Sequence, residues 1–161
     1  MADRLEPDQL GAYFALMEAV SLLQHQVEQQ LRAAGGISAV QFQLLASLAR
    51  AGGTLTMTDL ADGVVYSRSG LTYQAGLMEK AGLVTRGRCS DDERATLVTL
   101  TDEGAALLDR VLPGHVDVVR RGLFDPLAGD DLPRLADIMT RVRDHLRARP
   151  PRSAAPRKRK T

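Results

Sequence analysis

The sequence contains one cysteine, Cys89, and no tryptophan among its 161 residues. A single cysteine excludes an intrachain disulfide and any zinc site built from several thiolates. Aromatic residues make up only 4% of the chain, so a core must be built mainly from Leu, Val and Ala, which favours packed helices over a β-sandwich. The length is that of one domain. We therefore expect a single, mainly α-helical domain.

A secretory leader and a long apolar run are also missing. The first twenty residues carry four acidic side chains and no basic start followed by an apolar segment, which is atypical of a signal peptide. No apolar stretch approaches the roughly 20 residues that a membrane-spanning helix needs. The sequence therefore predicts a cytoplasmic protein without a membrane partner.

Catalytic and metal-binding motifs are absent as well. The sequence shows no nucleophile and base in a known motif, no phosphate-binding glycine loop and no paired carboxylates placed by a motif. His25, His115 and His145 are too scattered for a metal motif. We therefore predict no enzymatic activity, no metal and no cofactor. Whether Cys89 is redox-active stays open, because the neighbouring Arg88 favours a thiolate.

The net charge of +1 hides an uneven distribution of charge. From Arg147 onward the chain carries seven Arg or Lys and no acidic residue, so the remainder is net acidic. Any affinity for nucleic acid must then come from local patches. Residues 149–161 combine cations with Pro and have no apolar residues to bury, which predicts a basic disordered tail.

Sequence signals predict two helices in the first third of the chain. Apolar residues recur at intervals of three and four over residues 10–31, which predicts a long first helix ended by Gly35–Gly36. Ser38 and Gln41 fit a Ser-x-x-Gln capping box, in which each side chain binds the backbone N–H of the other residue. A second amphipathic helix is expected to follow them.

Two further helices and a hairpin are predicted next. Thr56 and Asp59 repeat the capping pattern for a short third helix. Ser67 is placed to cap a fourth helix over residues 68–81, which Gly82 ends. Leu83–Arg88 and Ala95–Leu100 are β-capable stretches separated by a polar run, and they predict one hairpin.

The C-terminal part is predicted to be helical again. Thr101 offers an N-cap for a long fifth helix, which we expect Pro113–Gly114 to bend or interrupt. A last helix begins near Asp130 and carries apolar residues in a regular a/d spacing. Such a narrow apolar stripe requires a partner helix.

A short helix, a turn, a second helix and a hairpin form the order of a winged helix-turn-helix. The N-terminal end of the second helix enters the major groove in such proteins, where hydroxyls and amides reach phosphates and base edges. Leu71, Leu77 and Met78 are expected to point back into the domain. We predict DNA contacts from the polar start of that helix and from the hairpin cations: Ser67, Arg68, Ser69, Thr72, Tyr73, Gln74, Arg86, Arg88 and Arg94.

The hairpin tip has a specific predicted role. Arg94 lies just past the tip, where an arginine can enter the narrow minor groove of DNA. Asp92 is placed to orient that guanidinium through a charge-assisted hydrogen bond.

At these positions the sequence resembles the MarR (multiple antibiotic resistance regulator) family over roughly residues 10–148. The motifs that carry the resemblance are Leu60-Ala61, Ser67-Arg68-Ser69, Thr72, Glu79-Lys80-Ala81-Gly82-Leu83-Val84 followed by Arg86, Asp92-Glu93-Arg94 and Leu100-Thr101-Asp102-Glu103-Gly104. The resemblance implies a mainly α fold with a small β-hairpin wing and with N- and C-terminal dimerisation helices. It further implies a homodimeric repressor that binds a pseudo-palindromic operator and is released by a small aromatic or anionic effector.

The resemblance also divides the chain. Residues 1–148 are expected to form a single MarR-like domain, with dimerisation helices at 10–36 and 102–148 and the winged helix-turn-helix at 37–101. The dimerisation residues expected on these helices are Leu10, Tyr13, Met17, Leu132, Leu135, Met139, Val142 and Leu146.

The sequence departs from the family pattern on the recognition helix. Tyr73 and Leu77 stand where family members often carry Arg, and Gly70 and Gly76 replace better helix formers. One alternative function stays open, because the body is acidic and the recognition helix has little charge. That alternative is a winged-helix module that binds another protein without binding DNA.

Overall fold

A computed structural model describes the chain over residues 4–64, 68–88 and 95–148, with the Arg68 side chain excepted. The predictions made for Ser67, Cys89, Asp92, Arg94 and the tail at 149–161 fall outside the described residues.

The described chain is mainly α-helical with one small antiparallel sheet, as expected from the composition. No helix in these ranges is long and apolar enough to cross a membrane. The elements in chain order are α1 (Pro7–Gly35), α2 (Ala39–Arg50), β1 (Thr54–Thr56), α3 (Met57–Val64), α4 (Arg68–Lys80), β2 (Val84–Arg88), β3 (Thr96–Leu100), α5 (Asp102–Val119), a π-helical turn (Arg120–Phe124) and α6 (Asp131–Arg147).

The predicted start of α2 is confirmed by its hydrogen bonds. The Gln41 backbone N–H donates to Ser38 Oγ at 3.2 Å, and the Ser38 N–H donates to Gln41 Oε1 at 3.0 Å. At α3, the Asp59 N–H donates to Thr56 Oγ1, whereas the Thr56 hydroxyl donates to the Asp59 carboxylate. The cap of α3 therefore forms, but its return bond starts from the hydroxyl and not from the backbone.

The sheet contains a strand that the sequence analysis missed. β2 and β3 form the expected hairpin, and β1 pairs with the other edge of β3, which gives the order β1-β3-β2. Leu55 of β1 lies opposite Val98 of β3. Three residues are too few to show a period-two pattern, so β1 is defined only by its pairing with a distant segment.

The core of the winged helix lies between α2, α3, α4 and the sheet. Leu71 and Met78 of α4 are buried, as expected. The same expectation for Leu77 is wrong, because that side chain is 36% exposed and Ala75 is buried instead. Positions 71, 75 and 78 form one helical stripe, and position 77 lies off it.

The expected interruption at Pro113 is wrong, because α5 is continuous to Val119 and becomes irregular only in the π-helical turn that follows. Pro113 removes the N–H that would bind the carbonyl of Asp109. Asp109 is exposed, so solvent can satisfy that carbonyl. α5 also packs along α1, where Gln30 Nε2 donates to the Val111 carbonyl at 3.3 Å.

The end of α4 and the start of α5 meet in a tight junction. Gly82 adopts a left-handed conformation with φ of 75°, and the Leu83 N–H bonds the Met78 carbonyl as in a Schellman motif. The Thr101 hydroxyl donates to the Gly82 carbonyl at 2.7 Å and accepts the Gly104 N–H at 3.0 Å. A Cβ on Gly104 would overlap the Leu83 carbonyl oxygen.

We predict that Gly104→Ala lowers the free energy of unfolding by about 2 kcal/mol, because backbone atoms must move to admit the methyl group. Gly76→Ala is the matched control, since a Cβ there makes only an ordinary contact with Arg86 Nη2 at 3.9 Å. The control should be stabilised by up to about 1 kcal/mol through helix propensity. Denaturant unfolding at one protein concentration measures both changes, and equal stability of Gly104→Ala and wild type would contradict the junction geometry.

His115 of α5 lies against α2, with its ring centroid 4.3 Å from that of Phe42. Its Nδ1 atom is buried and has no hydrogen-bond partner among the described residues. Burial lowers the pKa of the His115 imidazole below its ordinary value of 6.5. The folded protein therefore holds this ring in its neutral form.

A lowered pKa in the folded state means that the unfolded chain takes up the His115 proton first as the pH falls. The free energy of unfolding should therefore decrease as the pH falls below about 6.5, and His115→Phe should make this decrease smaller. Denaturant unfolding at pH 7.5 and pH 5.5 compares the variant with wild type, and His25→Gln, at an exposed position of α1, is the control. An unchanged pH dependence in His115→Phe would contradict this prediction.

Candidate nucleic-acid interface

The N-terminal half of α4 presents a polar outer face. Ser69 and Thr72 are exposed, and Tyr73 is 65% exposed. Leu71 and Ala75 lie on the opposite face and are fully buried, so packing fixes which side of α4 faces outward. Three of the predicted DNA contacts are therefore brought together on one accessible surface.

Gln74 and Arg68, the other two predicted DNA contacts on α4, are not part of this exposed surface as the structure describes it. Gln74 is half-buried, and its Oε1 atom is buried without a hydrogen-bond partner among the described residues. This orientation does not favour Gln74 as a reader of base edges. Arg68 is the first residue of α4, but its side chain lies outside the described residues.

The β2–β3 hairpin stands beside α4 and carries the predicted cations of the wing. Side chains alternate along a strand, so Arg86 and Arg88 share the face of β2 that begins with the buried Val84. Arg88 is exposed and pairs in register with Thr96 of β3. Arg88 is therefore available to a partner on the α4 side of the hairpin.

Arg86 is bound within the protein by Glu79 at the C-terminal end of α4. The Arg86 Nε atom donates to Glu79 Oε2 at 2.8 Å, and Nη2 donates to the same oxygen at 2.6 Å. The Arg86 backbone N–H donates to Glu79 Oε1 at 3.2 Å. The Arg86 side chain holds the pKa of the Glu79 carboxyl below its ordinary value. Sequence reasoning assigned Arg86 to DNA and missed Glu79, although both lie in the family motif.

Glu28 connects α1 to the start of α2. The Glu28 carboxylate accepts the N–H of Ala39, the first residue of α2, at 2.6 Å and also pairs with Arg32. The Ala39 hydrogen bond, more than the Arg32 pair, keeps the pKa of Glu28 below its usual value. A carboxylate at a helix N-terminus is favoured by the free amides there. No signal in the sequence singled out this contact.

The first and last helices expose the apolar side chains that were predicted to form a dimer interface. None of the residues of α6, all of which are described, is buried. Leu135 and Met139 are half-buried, and the other predicted positions on both helices are exposed: Leu10, Tyr13, Met17, Leu132, Val142 and Leu146. Four further apolar side chains are exposed but were not among the predicted dimer residues: Phe14, Val116, Phe124 and Ile138.

Comparisons with known proteins point to one family. The sequence profile of the MarR family matches residues 35–95. The chain is 30% identical over 132 residues to the HTH-type transcriptional regulator PecS of Dickeya dadantii, covering 81% of this chain and 79% of that protein.

Solved structures agree with the sequence match. A MarR family transcriptional regulator from Streptomyces coelicolor, solved in complex with DNA, is 35% identical with a TM-score of 0.86, covering 91% of this chain and 92% of that one. AbsC, also a MarR family transcriptional regulator from Streptomyces coelicolor, is 33% identical with a TM-score of 0.86, covering 92% of this chain and 100% of that one.

Proposed function

This chain belongs to the MarR family of transcriptional regulators, and from that membership we propose that it represses transcription by binding a pseudo-palindromic operator as a homodimer. The observation that carries the proposal is the exposed polar face of α4 beside a cation-bearing hairpin. The same fold, at 35% identity, is found in a regulator solved in complex with DNA. DNA is thus the partner that this surface fits best.

We assign DNA binding and dimerisation to different parts of the chain. Residues 37–101 form the DNA-binding winged helix-turn-helix, and residues 10–36 and 102–148 supply the dimer, all within one domain at 1–148. In each protomer α4 enters the major groove, with Ser69, Thr72 and Tyr73 facing the bases and phosphates. Two recognition helices in successive major grooves lie about 34–36 Å apart. The half-sites of the operator should have the same spacing.

The dimer is proposed from the exposed apolar surface of α1, α5 and α6. A single large apolar patch on a protein surface marks an interaction site. α6 carries its apolar residues in one stripe and buries none of them within the protomer. Packing against a second copy removes this surface from water and sets the separation of the two recognition helices.

A small effector is proposed at the contact of α1, α2 and α5. Gln30 Oε1 and His115 Nδ1 are buried atoms without hydrogen-bond partners among the described residues. Both can accept a hydrogen bond, and Phe42 lies against the His115 ring. An aromatic molecule with an O–H or N–H donor matches this chemistry. Its binding would act on the helices that orient the winged domain.

Two further parts of the proposal follow from DNA as the partner. The protein acts by binding and not by catalysis, as its family of transcriptional regulators does. It is placed in the cytoplasm, where it has access to chromosomal DNA.

We predict that Arg94→Ala weakens operator binding by roughly 1–3 kcal/mol, because a minor-groove arginine contributes both charge and shape recognition. The operator is first selected from genomic fragments with the purified protein, and affinity is then measured by electrophoretic shift at fixed salt. Arg50→Ala, at the C-terminal end of α2, is the control for losing one positive charge. Failure of the wild-type protein to bind any duplex at low ionic strength would overturn the DNA-binding function and leave the protein-interaction alternative.

We predict that Val142→Glu shifts the protein from dimer to monomer and abolishes operator binding, because a charge would be buried in the apolar stripe of α6. Thr140→Glu adds the same charge on the opposite side of the helix and should leave the dimer intact. Sedimentation analysis of both variants measures the change. A Val142→Glu protein that remains a dimer would show that α6 is not part of the interface.

A further inference from the structure

The pair formed by Glu79 and Arg86 joins the recognition helix to the wing at the outermost point where the two elements bond each other. Among the described residues of β2, Arg86 is the one farthest toward the tip that bonds to α4, since neither Gly87 nor Arg88 beyond it has a side-chain hydrogen bond or ion pair with the described part of that helix. Nearer the base, Val84 is buried in the core and needs no polar contact. The pair therefore lies beyond the buried base of the hairpin, on the part of β2 that leads toward residue 88.

The hydrogen bonds of Arg86 leave it poorly suited to bind a phosphate. Nε and Nη2 both donate to one Glu79 oxygen, and the backbone N–H donates to the other oxygen. The partner carboxylate compensates the guanidinium charge at short range. The Arg86 side chain is 31% exposed, but its Nε and Nη2 atoms are directed at Glu79. Arg88, which is exposed on the same face, is the better phosphate ligand.

We propose that Glu79 and Arg86 form a positioning pair that fixes the angle between α4 and the wing, so that both can occupy adjacent grooves of one duplex. This inference rests on the proposed DNA-binding function. Glu79 would then promote DNA binding although it carries the charge that DNA repels. Three hydrogen bonds from Arg86, two from the guanidinium to Glu79 Oε2 and one from the backbone N–H to Glu79 Oε1, give the pair its orientation.

Glu79→Gln should change DNA affinity in opposite directions if Glu79 is a positioning residue and if it is only a solvated surface charge. A simple acidic residue near DNA opposes binding, so its removal should strengthen binding. Removal of a positioning residue should weaken it, because the wing loses its fixed angle and must be ordered on binding. The amide of Gln is nearly isosteric with the carboxylate and keeps the helix intact.

The experiment is a double-mutant cycle on operator affinity with wild type, Glu79→Gln, Arg86→Gln and the double variant. Each single variant should lose roughly tenfold in affinity, and the double variant should lose no more than either single one, as coupled partners do. Asp62→Asn, on an exposed position of α3, is the matched control for removing one acidic charge. It should bind as tightly as wild type or more tightly.

Two further variants distinguish positioning from phosphate contact. Arg86→Lys keeps the charge but cannot place two donor nitrogens against Glu79 Oε2 as the planar guanidinium does, so it should bind as weakly as Arg86→Gln. The slope of log affinity against log salt should stay unchanged in every Glu79 and Arg86 variant. Arg88→Gln, which removes the proposed phosphate contact, should reduce that slope by about 0.9.

Several outcomes would overturn the positioning role. Glu79→Gln that binds as tightly as wild type or more tightly rules out the positioning role. Arg86→Lys that binds normally, while Arg86→Gln has a reduced salt slope, assigns Arg86 to a phosphate instead. Hydrogen exchange of the Arg86 amide tests the pair without DNA, and exchange should be faster in Glu79→Gln than in wild type. Unchanged exchange of the Arg86 amide in Glu79→Gln would refute the pair, whether or not the protein binds DNA. Faster exchange would support the pair, even if the protein binds no duplex.

Discussion

The close approach of the α4 and α5 backbones at residues 82–83 and 101–104 is the constraint on which the rest of the structure depends. Thr101 bonds the Gly82 carbonyl through its hydroxyl and the Leu83 carbonyl through its N–H, while Gly104 leaves room for that carbonyl. The end of α4 is therefore held at a fixed distance from the start of α5. The hairpin begins at the same point, so its base is positioned by the same contacts.

A second connection holds the other side of the winged domain. Glu28 of α1 binds the N-terminus of α2 through the Ala39 N–H, so the winged domain is attached to α1 and to α5 at two separate points. Both attachments are hydrogen bonds to backbone groups at helix ends, where the amides and carbonyls lack partners within the helix.

The charges of the wing have separate roles that composition alone does not reveal. Arg86 is bound by Glu79 within the protein, whereas Arg88 on the same strand face is exposed. The two arginines have different partners because Arg86 lies close enough to α4 to bind Glu79, whereas Arg88 lies farther along the strand. The chain carries 21 basic and 20 acidic side chains. DNA affinity in such a protein depends on where the cations that are available to phosphate lie and not on net charge.

The local features of this fold follow directly from short sequence motifs. The cap at Ser38 and the helix stop at Gly82 depend on contacts within a few residues, and the motifs around them were enough to indicate the family. Tertiary structure alone decided what depends on distant segments. β1 exists because β3 pairs with it, Leu77 is exposed because Ala75 occupies the buried stripe, and Arg86 is bound because α4 brings Glu79 to it. These contacts join residues that packing brings close together in space. A local sequence pattern contains no information about that packing.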